Sequence, residues 1–144
     1  MTNGNADGTI YLSTKYPPSY WGITATLSQI ATVTITAGTS TSTALDFTSD
    51  TLRGYCPLAV FSPSGWTSAI IAIETSFDGT NWYPLHQWLN GAYDTANAVT
   101  STQCHTFDGL PLNGMPYVRF ISGTHASRVN QVSTSVLTIL CGTT

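Results

Sequence analysis

Hydrophobic and polar residues alternate with a period of two along much of the chain after residue 31. In TVTITA (32–37), Val33 and Ile35 alternate with threonines, which is the pattern of a strand buried on one face. Similar segments follow at short spacing between turns rich in Gly, Pro and Ser, and none shows the period of an amphipathic helix. The pattern predicts about eight strands in one all-β domain over 32–144, an antiparallel β-sandwich of jelly-roll-like form.

Two apolar segments are predicted to lie inside the sheets. AIIAIETSF (69–77) has the length and β-branched content of a central strand, and YCPLAVF (55–61) is apolar on both sides. Pro57 lacks an N–H group, so it is expected at a sheet edge or a bulge. The stretch 88–103 is predicted as a long polar excursion with a turn at Asn90 and Gly91. The remaining predicted strands are TALDF, CHTF, YVRFIS and TSVLTILC.

The segment SFDGTNWYPL (76–85) permits two interpretations. Asp78 and Gly79 favour a tight hairpin turn, because both accept positive φ, with Trp82 and Tyr83 packed inward on the sheet. The same residues are similar to the S-x-D-x-G-x-T-W turn of sialidase-type propellers. However, the motif has one residue between Asp and Gly where this chain has none, and the chain carries the motif once. The hairpin turn is the preferred interpretation.

Catalytic and metal-binding patterns are weak. Glycoside hydrolysis needs two carboxyl groups, and Glu74, the only Glu, lies four residues before Asp78 on the same face of a strand. We expect Glu74 instead to face solvent or an intersubunit contact. His86, His105 and His125 lack zinc-motif spacing, and no phosphate-binding or nucleophile motif is present. The sequence therefore predicts no enzyme, no catalytic residue, no metal and no cofactor.

The first 31 residues differ from the rest and are predicted to form an extended N-terminal arm. Prolines there exclude a central strand, and exposed aromatics at this density favour docking, either on the parent domain or on a neighbour. The partner-binding candidates are Tyr11, Tyr16, Pro17, Pro18, Tyr20 and Trp21.

Composition and charge restrict the possible partners. Only 8% of the 144 residues are charged and the net charge is −3, with four basic residues far apart in the sequence. That excludes the basic patch on which nucleic-acid affinity depends. The opening MTNGNADGTI lacks a signal-peptide pattern and no stretch is long and apolar enough for a membrane span, so we expect a chain folded in the cytoplasm. Sparse charge also favours self-association.

Three cysteines, Cys56, Cys104 and Cys141, have no CxxC spacing and lie in or beside β-like segments. We expect buried free thiols, with one disulfide across the core as the alternative. A second functional hypothesis is a glycan-binding surface of aromatic platforms beside the polar excursion. Its candidate residues are Trp66, Trp88 and Tyr93.

Two blocks carry a resemblance to a known family. WTSAIIAIETSFDGTNWYPL (66–85) and YVRFISGTHASRVNQVSTSVLTILC (117–141) resemble small structural proteins encoded in tailed-bacteriophage morphogenesis clusters. Those proteins show a W-T strand, an S-x-D-G turn with a following aromatic, an S-G-T run, a V-N-Q and a closing strand. The two blocks cover about half of the chain, in the same order.

The resemblance implies a virion protein with a β-sandwich fold, a decoration or cement protein that binds the major capsid protein and copies of itself. A trimer on the capsid surface, assembled in the bacterial cytoplasm, is the expected state. The aromatic arm and the 86–103 insertion depart from the pattern, so a neck or tail position is the alternative. The shared positions imply packing for Trp66 and Trp82, a turn at Asp78 and Gly79, and another turn at 122–124.

Overall fold

The computed structural model describes residues 27–87, 91, 92, 94, 95, 97–107, 112 and 114–143. Within these ranges the chain forms strands, turns and no α-helix. The strands are β1 (Ser28–Ile35), β2 (Leu45–Asp46), β3 (Cys56–Phe61), β4 (Ile71–Ser76), β5 (Tyr83–Pro84), β6 (His86–Gln87), β7 (Gly91–Ala92), β8 (Cys104–Thr106), β9 (Tyr117–Ser122) and β10 (Ser135–Gly142).

Two antiparallel sheets of four strands each form a β-sandwich, as the alternating pattern predicted. The first sheet has the order β1-β10-β3-β8, and the second has the order β2-β9-β4-β5. A separate two-stranded ladder joins β6 to β7. Apart from the consecutive pairs β4–β5 and β6–β7, strands that are neighbours in space come from distant parts of the sequence, and the longest pairing joins β1 to β10.

The core lies between the two sheets and is built from alternate residues of the long strands. Val33 and Ile35 of β1 face Ile71 and Ile73 of β4 across this core, and all four side chains are fully buried. Their neighbours in sequence point to the opposite faces of the sheets, because side chains alternate along a strand. Other fully buried core residues are Val60, Val99, Val118, Phe120, Leu137, Ile139 and Cys141.

The predictions for the two interior strands are confirmed. β4 lies between β9 and β5, and β3 lies between β10 and β8. The β3–β10 ladder shifts register between Leu140 and Cys141, where Pro57 enters the strand. A residue without an N–H group is tolerated at such an irregularity.

β1 begins at Ser28, within the segment that was predicted to be an arm up to residue 31. Residues 28–31 pair with residues 139–142 of β10. The alternation that marks 32–37 is inverted here, since the apolar Ile30 is 65% exposed and the polar Gln29 is half-buried. A sequence pattern of inward-facing apolar residues therefore does not identify residues 28–31 as the start of β1.

The stretch predicted as a polar excursion is attached to the second sheet where it is described. Asp94 bridges Ala72 and Val99 bridges Ala69, which places this stretch along the strand edge beside β5. Val99 is fully buried in the core. Asn90 of the predicted turn lies outside the described residues.

The cysteines are free, and two of the three match the expectation of burial. Cys56 and Cys141 are buried in neighbouring strands, and burial raises the pKa of Cys141 to about 11. The expectation is wrong for Cys104, which is exposed. Cys104 lies on the edge strand β8 opposite Phe61, at a position that faces away from the core.

Gly123 closes the turn after β9 and has no room for a side chain. Its φ is +95°, and an added Cβ would lie 2.5 Å from the carbonyl oxygen of Ser127. Gly38 has a similar φ of +79°, but nothing lies within 4 Å of an added Cβ.

We expect Gly123→Ala to lower the free energy of unfolding by about 3 kcal/mol, and Gly38→Ala by about 1 kcal/mol. Both variants carry the backbone penalty of positive φ, whereas only the first forces a clash with the main chain. Urea denaturation of both variants measures the difference. Equal losses would show that the close approach at Gly123 is relieved without cost.

Candidate functional site

The segment after β4 forms the predicted turn. The Asp78 carboxylate accepts hydrogen bonds from the N–H groups of Asn81 and Thr80, each at 2.8 Å. The Ser76 hydroxyl accepts one from the N–H of Gly79, whose φ is +79°. The bonds from Asn81 and then Thr80 hold the pKa of Asp78 well below its usual range. Asp78 is thus a capping group that stays ionised.

The prediction that Trp82 and Tyr83 pack into the core is wrong. Tyr83 is 54% exposed and contacts the ring edge of Phe77 at a centroid distance of 6.0 Å. Trp82 is half-buried, and the guanidinium carbon of Arg119 lies 4.3 Å from its ring centroid. Tyr83 belongs to the two-residue edge strand β5 and Trp82 directly precedes it, so both aromatics lie at the rim of the sandwich.

Glu74 lies on the outer face of the second sheet but is not exposed to solvent, contrary to expectation. It is 4% exposed, and its Oε1 accepts a hydrogen bond from Nε of Arg119 at 2.7 Å. Its Oε2 accepts one from Nη2 of Arg128 at 2.9 Å. The register of β4 and β9 places Glu74 directly opposite Arg119, and Arg128 comes from the loop after β9.

Two histidines lie near this ion pair. Nδ1 of His125 lies 3.6 Å from Oε2 of Glu74, and neither ring nitrogen of His125 has a hydrogen-bond partner among the described residues. The ring of His86 lies 6.3 Å from that of His125. Asp94 bridges Ala72, two residues before Glu74 on the same face of β4. We call Glu74, Arg119, Arg128 and His125 the Glu74 cluster.

The Glu74 cluster places a paired carboxylate on the outer face of the second sheet. Both carboxylate oxygens of Glu74 are bonded to arginines, and both oxygens of Asp78 are bonded within the turn. A buried charge is tolerated only when it is paired in this way. The two carboxylates considered for glycoside hydrolysis are therefore both engaged in structural hydrogen bonds.

The W-T and V-N-Q motifs meet at a single buried amide. Gln131 is fully buried, accepts the N–H of Thr67 at 2.7 Å and donates to the carbonyl of Thr67 at 2.9 Å. It also donates to the hydroxyl of Ser122 at 2.8 Å. Gln131 thus ties the loop before β4 to the end of β9. Both motifs are visible in the sequence, but their contact depends on the fold.

Trp66 does not present a surface to a sugar. It is 5% exposed and its indole N–H donates to the carbonyl of Val99 at 3.0 Å, which fits the packing role that the resemblance implies. The other glycan candidates, Trp88 and Tyr93, lie outside the described residues. So do the six arm residues Tyr11, Tyr16, Pro17, Pro18, Tyr20 and Trp21.

The outer face of the first sheet has the opposite character to the Glu74 cluster. None of the residues in β1, β3, β8 and β10 is Asp, Glu, Lys or Arg. Ile30 is 65% exposed, Val136 45% and Phe61 41%, with threonines between them. We call this surface the charge-free face. Sequence periodicity missed it, because it takes inward apolar residues as the signal and treats the opposite face as solvated.

A shallow pocket of about 270 Å³ opens at one end of the sandwich. Its wall includes Phe77, Tyr83, Met115 and Pro116. Apolar groups of this kind fit a side chain of a partner better than they fit a polar ligand.

Comparisons with known proteins give no family. No family model matches the chain, and no curated protein or solved structure matches it. Within the described ranges, no group of three His, Cys, Asp or Glu side chains is placed to hold a metal ion. The described part of the chain also has no helix with the length and apolar character needed to cross a bilayer.

We expect Glu74→Gln to destabilise the fold by about 2 kcal/mol, because it removes the one negative charge that both arginines contact and leaves two like charges close together. The expected loss is no larger because solvent screens the charges of Arg119 and Arg128, whose side chains are 25% and 36% exposed. Thermal or urea unfolding measures the loss.

The matched control is Asp50→Asn, the same carboxylate-to-amide change in the Asp50–Arg53 pair. Those side chains are 98% and 70% exposed, so we expect no measurable change. A loss of similar size in both variants would mean that burial does not distinguish the Glu74 cluster.

Proposed function

We propose that this chain is a non-enzymatic structural protein of a bacteriophage virion, a decoration or cement protein that binds the major capsid protein and neighbouring copies of itself. The observation that carries the proposal is the charge-free face, which leaves Ile30, Phe61 and Val136 exposed, whereas Ala72, Glu74 and Ile121 on the outer face of the other sheet are buried. Exposed apolar side chains grouped on one surface are typical of protein interaction sites.

The sandwich supports this role because it is rigid. Buried polar groups are bonded to distant segments, as Gln131 is to Thr67 and Ser122, so the loops at one end are fixed to the strands. A protein that holds subunits of a shell together transmits force between its contacts. A scaffold whose loops are anchored in this way serves that purpose.

The N-terminal segment is joined to the edge strand of the charge-free face, which supports a role for this segment in binding. The described chain begins at Leu27, directly before the edge strand β1 of the charge-free face. Residues 1–26 precede it, and an extended segment of that length spans up to about 85 Å. If this segment is extended, Trp21 lies up to about 20 Å and Tyr11 up to about 53 Å from Leu27, with Tyr16 and Tyr20 between them. Burial of these aromatics against a neighbouring subunit would stabilise the contact.

The chemistry of the charge-free face suits a shell that is exposed to changing salt. Contacts between ions weaken as ionic strength rises, whereas apolar burial does not. A face without ionised groups also avoids the desolvation cost of charge on binding. We therefore infer that attachment to the capsid depends on apolar contacts.

The test uses shells that lack this protein and measures how much of it binds. Deletion of residues 2–26 leaves β1 intact, whereas a cut at residue 30 would remove part of its pairing with β10. We expect full-length protein to saturate the shells and to raise their heat stability, and the deletion variant to lose at least about tenfold in affinity.

A full-length variant with Tyr11, Tyr16, Tyr20 and Trp21 replaced by serine should lose affinity to the same degree as the deletion. The matched control replaces Thr2, Thr9, Ser13 and Thr14 with alanine and should bind as the full-length protein does. Unchanged occupancy and shell stability in the deletion variant would contradict a role for the N-terminal segment. No binding of the full-length protein would contradict the decoration role itself.

The two alternatives are not favoured by the described residues. A glycan platform at Trp66 conflicts with its burial. A neck or tail position would use the same charge-free face. Labelling of intact particles with antibody separates it from the capsid surface by location.

A further inference from the structure

The β1 edge of the first sheet is paired at its end, where Thr34 and Ile35 contact Thr43 and Ser42, but from Ser28 to Thr32 it lacks the protection that the other described sheet edges have. β1 has 8 residues, whereas β2 and β5 have 2 each and β8 has 3. Proteins prevent pairing at sheet edges with short strands, prolines or charged residues. β1 reads SQIATVTI and contains neither a proline nor a charge. An edge strand without such protection can pair with a strand of another chain.

Main-chain groups of alternate residues in β1 point away from its partner β10. The Leu27 carbonyl accepts the N–H of Thr143, so Leu27 faces the β10 side. The Thr34 carbonyl accepts the N–H of Thr43, which lies on the other side. Since direction alternates along a strand, the residues that direct N–H and C=O groups outward, besides Thr34, are Ser28, Ile30 and Thr32.

No described residue pairs with these outward groups of Ser28, Ile30 and Thr32. Each residue offers one donor and one acceptor, so the edge is complementary to an extended strand. The side chain of Ile30 is 65% exposed beside Leu140 on the charge-free face. A partner strand would therefore need to be uncharged and partly apolar.

We propose that β1 pairs with β1 of a second copy of this chain, antiparallel, about a two-fold axis that passes beside Ile30. In this register Ile30 faces Ile30 of the second copy, and Ser28 faces its Thr32. The outward groups of one copy then meet the outward groups of the other, which makes the contact self-complementary. The two charge-free faces become one continuous surface across both copies.

The absence of charge and the exposed Ile30 side chain favour β1 of a second copy as the strand that pairs with this edge. Neither strand brings an ionised group, so no charge is desolvated when they pair. The two Ile30 side chains meet directly across the axis, and cross-strand pairs of β-branched residues stabilise a sheet. The inference deepens the self-association part of the proposed function, and gives a two-fold contact in place of the expected trimer. It is tested on the free protein, so its failure is distinguishable from a failure to bind capsids.

The test is sedimentation velocity of the full chain over a series of concentrations at low salt. We expect wild type to show a concentration-dependent dimer. Ile30→Lys and Ile30→Glu each place two like charges opposite each other across the axis, so each alone should weaken the dimer at least about tenfold. An equal mixture of the two variants should restore it, because opposite charges then face each other.

The matched control is Thr106→Lys, which adds the same charge to an exposed position on β8, at the far edge of the same sheet. We expect this variant to dimerise as wild type does. Thr32→Pro removes an outward N–H group and adds a second way to weaken the contact, independent of charge. Circular dichroism confirms that each variant retains its strands.

Four results would overturn the proposal. They are a wild-type protein that stays monomeric at every concentration, a dimer insensitive to both Ile30 variants, a mixture that fails to restore association, and a dimer that disappears on deletion of residues 2–26. The last result would identify the N-terminal segment as the occupant of the β1 edge.

Discussion

The pairing of Glu74 with Arg119 across β4 and β9 determines which face of this sandwich is closed. A carboxylate in the middle of a sheet needs a partner in register, and the ladder supplies it directly opposite. Arg128, from the loop that follows β9, bonds the second oxygen and also donates to the hydroxyl of Thr41 at 3.0 Å. The ion pair thereby fixes a loop over the outer face of the second sheet.

The two sheets consequently have different surfaces. The second sheet and the loop after β9 carry the only Glu of the chain and two of its four basic residues, and the single carboxylate of Glu74 pairs with both arginines. The first sheet carries no such residue and presents Ile30, Phe61 and Val136. Gln131 connects the loop before β4 to the end of β9, which keeps the closed side ordered. The charge-free face is left as the surface with which the proposed contacts are made.

The sequence predicted the fold class because burial of alternate residues leaves a period of two in strands such as β1 and β10. It also predicted the Asp78–Gly79 turn, where local chemistry is sufficient. It failed where the answer depends on pairing between distant segments. Glu74 was expected in solvent or at a subunit contact, and its burial follows from the register with Arg119, 45 residues away. Trp82 and Tyr83 were expected in the core, yet they lie at an edge that only the strand order reveals. The charge-free face was missed because Ile30 and Phe61 occupy positions that the alternating pattern assigns to the outside.

Hydrogen–deuterium exchange on shell-bound and free protein tests the claim that the first sheet is the interaction surface. We expect binding to add protection in β1, above all at the N–H groups of Ile30 and Thr32, and to leave β4 and β9 unchanged. Added protection confined to the second sheet, with β1 exchanging as fast as in the free protein, would contradict it.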